Sequence, residues 1–74
     1  EKHENLVRVE SVEEKGQDLL ISLVSEGYCH AVSLGFPASV RLSDEYFDML
    51  PGDRVTVIVY GAAGRQKDMH LNWL

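Results

Sequence analysis

Between residues 55 and 59 every second residue is valine, and this alternation constrains the chain more than any other feature. Val55, Val57 and Val59 alternate with Thr56, Ile58 and Tyr60, the pattern of a β-branched strand that buries one face. The same period of two returns at Met69, Leu71 and Trp73, which alternate with His70 and Asn72. Gly61-Ala62-Ala63-Gly64, a loop of small residues, lies between them. Two strands of this kind joined by a short Gly-bearing loop predict a closing β-hairpin with a flexible tip.

Upstream, residues 6–12 read as a strand with Val7 and Val9 on one side, followed by a turn at Lys15-Gly16-Gln17-Asp18. Residues 19–24 form an apolar strand, Glu26-Gly27 a second turn and residues 28–34 a third strand. Gly35-Phe36-Pro37 breaks that strand, and residues 38–42 supply a short extra one. Residues 42–50 carry the marks of a short helix. Ser43 is a good N-cap, Asp44 and Glu45 suit the positive end of the helix dipole, and Leu42 with Phe47 stands at staple spacing. Pro51-Gly52 then stops it.

Seventy-four residues suffice for one domain. A chain this short buries one face of each strand only by curling the sheet into a small barrel or a compact sandwich, the barrel being the first choice. The predicted fold is therefore mainly β: a five- to six-stranded barrel, OB-like or SH3-like, with one short helix before the final hairpin. The Leu-Pro-Gly-Asp-Arg-Val turn resembles the approach to the last barrel strand in many such domains. Because the chain begins at Glu1 rather than Met, residues 1–74 are expected to be a piece cut from a longer protein, a removed leader being the alternative. No apolar run reaches the roughly 18 to 20 residues of a membrane span. The segment is expected to be soluble, belonging either to a membrane-anchored or secreted bacterial-type protein or to a cytoplasmic one.

Charge narrows the partners. The net charge is −5, with seven carboxylates against three bases in residues 1–26 and five against four in residues 27–74. Such a balance argues against a generic phosphate-binding surface. Arg65 and Lys67, with Arg54 and Tyr60 nearby, form the only locally basic patch and the best place for an anionic ligand or an acidic partner. The Gly-rich stretch before them is not a Walker loop, since it lacks the Lys-Ser/Thr element.

Nothing indicates a cofactor or a small-molecule ligand. Cys29 and His30 are neighbours on a strand and point to opposite faces, so they make no nucleophile–base pair. Free Cys is usually a small buried apolar residue. His30 and His70 lie on strands that could pair and are the weak candidates for a metal site, against the ordinary reading of exposed histidines. Asp44, Glu45, Asp48 and Asp53 are accounted for by capping and solvation. Phe36, Phe47 and Trp73 hold core-like positions, leaving few aromatics for stacking bases.

The sequence thus points to a non-catalytic binding or assembly module with a protein partner or a second copy of itself. Its contact residues would be Arg54, Tyr60, Arg65, Lys67 and Trp73. An OB-type nucleic-acid binder is the first alternative and is disfavoured by charge. A small metal-binding or thiol-dependent protein is the second.

Overall fold

The computed structural model describes residues 6–74, so Glu1, Lys2 and Glu4, counted above in the acidic half, lie outside the described residues. Five strands follow one another: β1 (Val7–Lys15), β2 (Asp18–Ser25), β3 (Cys29–Val32), β4 (Phe47–Met49) and β5 (Arg54–Val59). A single 3-10 turn spans Gln66–Asp68. The strands form two antiparallel sheets, one ordered β1-β2-β5 and the other pairing β3 with β4.

β2 is the centre of the first sheet because its apolar period is the cleanest. Leu19, Ile21 and Leu23 point inward with no exposed surface. In-register partners on β5 put Val57 beside Ile21 and Val59 beside Leu19, and both valines are fully buried. Full burial of each such side chain contributes roughly 1.5–3 kcal/mol. On the other side, Lys15 pairs with Asp18, leaving Gly16 and Gln17 as a two-residue turn. Gly16 takes the positive φ (65°) that such turns favour. Val9 opposes Leu23 while Ser11 opposes Ser22, so Glu10 is the extra residue of a bulge. The bulge resets the alternation and brings Val12 opposite Ile21, although burial fades along β1 toward the turn.

The second layer contributes Cys29, Val32, Leu34 and Met49 to the same core, all buried. β3 bulges between Cys29 and Val32, where Ala31 adopts φ 53° and its N–H donates to Asp48 Oδ1 at 3.2 Å. Along the opposite side of β3 runs the final segment, residues 69–74. His70 N–H donates to the Leu34 carbonyl (2.8 Å), Asn72 and Ser33 exchange a pair of bonds (2.9 and 2.8 Å), and Leu74 N–H donates to His30 (2.8 Å). Met69, Leu71 and Trp73 pack partly buried against the core. Residues 41–43 border β5 in the same way through Leu42 and Val59.

Mainly β architecture is therefore established, with four corrections. The two sheets are not closed into a barrel. The helix at residues 42–50 does not form. Its capping groups act across the chain instead: Ser43 Oγ accepts from Ile58 N–H (2.9 Å) and Glu45 accepts from Ser33 Oγ (3.1 Å) and Leu34 N–H (3.4 Å). Tyr46 has φ 56°, outside the helical region, and Phe47–Met49 is the strand β4. Two helical turns are too few to outweigh such pairing. Finally, β5 and residues 69–74 do not form a hairpin. β5 pairs with β2, and the chain crosses to the other sheet before residue 69. Residues 38–42 give only an isolated bridge at Leu42 rather than a strand.

Candidate functional site

The residues singled out in the sequence do not converge. Arg54 opens β5, and its guanidinium grips Glu10 with Nε on Oε1 (3.0 Å) and Nη2 on Oε2 (3.1 Å). That hydrogen-bonded pairing holds the Glu10 carboxyl below its ordinary value and the Arg54 guanidinium above its own. Tyr60 lies six residues on, beyond the other end of the strand, roughly 20 Å from Arg54. Arg54 is thus separate from the Tyr60 end of the domain.

Beside Tyr60, the guanidinium of Arg41 sits 5.7 Å from the ring centroid, a cation–π distance. Arg41 escaped the sequence reading because only the bridge between Leu42 and Val59 brings it there. Arg65 Nε donates to Asp68 Oδ2 at 2.9 Å, while Lys67 is exposed on the 3-10 turn. Trp73 lies partly buried on the core rather than on this patch.

The small-residue loop is not a free tip. Gly61 N–H donates to Asp18 Oδ1 (2.8 Å), Gly64 N–H to Glu14 Oε2 (2.7 Å) and Ala63 N–H to the Gln17 carbonyl (3.0 Å). Ala62 is fully buried. The amides that would cradle an anion already hold two of the chain's own carboxylates.

His30 and His70 sit on paired segments, yet they do not meet. His30 bonds with Leu74 and His70 with Leu34, so some four residues of ladder, roughly 13 Å, separate them. His30 Nδ1 is instead 3.5 Å from Asp48 Oδ1. Among the described residues no group of three or more His, Cys, Asp or Glu side chains is placed to hold a metal ion. Cys29 is fully buried, its Sγ 3.7 Å from Ser25 Oγ. A shallow depression lined by Phe36, Val40, Leu42 and Tyr46 has Glu45 as its one carboxylate, already engaged by Ser33 and Leu34. Among the described residues no helix is long and apolar enough to cross a membrane.

What remains uncommitted is backbone. Residues 70, 72 and 74 use their polar groups toward β3, so in an extended chain Leu71 and Trp73 direct theirs the other way. Among the described residues nothing hydrogen-bonds to the N–H or C=O of either one. Among the described residues the final segment is thus the outer strand of its sheet, with half-buried apolar side chains beneath it.

Two packed antiparallel sheets, the first ordered by its first, second and fifth strands, are the arrangement of an immunoglobulin sandwich, whose strands A, B and E lie side by side. The family model of the mannosidase Ig-fold domain matches residues 3–72. The chain belongs to this Ig-fold family. No curated protein and no solved structure matches it. Ig-fold domains are commonly non-catalytic modules of larger proteins and often mediate protein interactions. In this Ig-fold domain several of the titratable side chains singled out above are tied up in internal pairs.

Proposed function

We propose that this Ig-fold domain is a non-catalytic assembly module, residues 1–74 being one domain of a longer protein. The family's name points to a mannosidase as the kind of parent. The observation that carries the reading is the Ig-fold match over residues 3–72, set against side chains that are mostly satisfied within the domain. The same pairing of Arg54 and Arg65 with carboxylates weighs against nucleic acid as the partner, because phosphate contacts need uncommitted bases. The full burial of Cys29 weighs against thiol chemistry. Partners are therefore protein surfaces: the parent chain or another copy. Arg41, Tyr60, Arg65 and Lys67 serve as a secondary polar contact at the crossing-loop end.

The test is enzymatic. The purified domain, incubated with a chromogenic mannoside, should release no more chromophore than buffer does. Turnover by the domain alone would overturn the reading.

A further inference from the structure

At one end of the sandwich two turns and the start of β1 are bound together. The Leu6 carbonyl accepts from Glu26 N–H at 2.8 Å, and the Leu6 side chain packs over Gly27. Ser25 ties this turn to residues 50–53: its N–H donates to the Asp53 carbonyl (3.0 Å), and its own carbonyl accepts from Gly52 N–H (2.8 Å). The register that sets Cys29 opposite Met49 carries Tyr28 level with Leu50. Cys29 and Met49 are buried in the core, so alternation turns Tyr28 and Leu50 outward. They are 70% and 53% exposed, and Pro51 beside them is exposed too.

The charges around this apolar patch are matched within the domain. Arg8 pairs with Glu26 (3.0 Å), Arg54 with Glu10 (3.0 Å) and His30 with Asp48 (3.5 Å), while Asp53 Oδ2 accepts from Leu50 N–H (2.8 Å). An exposed aromatic and aliphatic patch ringed by matched charges suits an apolar protein face and offers little to a charged ligand.

Resting on the reading of residues 1–74 as one domain of a longer protein, we propose that Tyr28, Leu50 and Pro51 dock this domain against the part of the parent chain that precedes it. Location selects this occupant. The backbone reaches the sandwich at Leu6, beside the patch, so the covalent link holds an upstream domain over it at high effective concentration. The face it presents is aliphatic or aromatic, because a charge set against Tyr28 and Leu50 would lose its water and gain no partner. Contacts between domains of one chain cover about 600–1,500 Å², so this patch is the centre and pairs such as Arg8–Glu26 the rim.

Hydroxyl-radical footprinting of the full-length parent, read residue by residue by mass spectrometry, tests this with Tyr46 as internal reference. Tyr46 is also 70% exposed, and it lies at the opposite end of β4 from Leu50. Uncovered, the two rings should oxidise at equal rates; docking should slow Tyr28 at least about fivefold relative to Tyr46. Leu50→Lys sets a charge in the seam and should return Tyr28 to the rate of Tyr46, with Cys29 still closed to thiol reagents as the sign of an intact fold. Equal rates in the wild-type parent overturn the proposal, as does protection that survives Leu50→Lys. Protection that fades on dilution assigns the patch to a second copy and overturns it as well. Each of these results leaves the non-catalytic reading standing, since only mannoside turnover contradicts that.

Discussion

Gly35 marks the closest approach between the end of β3 and the final segment. Its φ is 70°, and a Cβ at this position would collide with the backbone carbonyl of His70. Backbone cannot swing aside as a side-chain tip does, so Gly35→Ala should cost about 3 kcal/mol or more, a large share of the stability of a small domain. Urea unfolding measures it, and a loss below about 0.5 kcal/mol would mean that the two segments do not run so close. The sequence showed Gly35 only as a strand breaker, because the residue that makes it necessary is 35 positions away. Residues whose role depends on local pattern were legible: Cys29 is buried and Phe36 nearly so, while Phe47 and Trp73 pack on the core. Residues whose role depends on a distant partner were not. Arg54 looked like a free base until the β1 bulge placed Glu10 against it, and Asp48 looked like a solvated helix acid until the bulge of β3 needed an acceptor.

Strand positions were read well where one face is fully buried, as in β2 and β5, and the two-residue turn at Gly16 was read from its glycine. The short helix failed for a physical reason: a cap and two acidic residues describe what a segment can do alone, and here each found a partner on another strand. The final hairpin failed because alternation gives a strand's face but not its neighbour. The stretch between Val59 and Met69 looked like a turn, yet it crosses between sheets, fastened by Asp18 and Glu14. Asp18→Ala should therefore lower stability by about 1 kcal/mol. The amide of Gly61 should also exchange faster in that variant, with the β2–β5 ladder still protected. Unchanged Gly61 exchange would show that the crossing loop is held by something else.

At the scale of the whole molecule, the period of two predicts a mainly β domain, and that much stands. Barrel or sandwich was undecidable from the period of two, since both bury alternate residues and differ only in which strands are neighbours. The structure decides it by sending β5 to β2 and residues 69–74 to β3. Cross-strand nuclear Overhauser effects on the labelled domain in dilute solution test the pairing directly. The account predicts contacts of Ser33 with Asn72 and of Ile21 with Val57, together with slow exchange at the His70 and Asn72 amides and fast exchange at Leu71 and Trp73. Contacts joining residues 55–59 to residues 69–73 in a hairpin would contradict it.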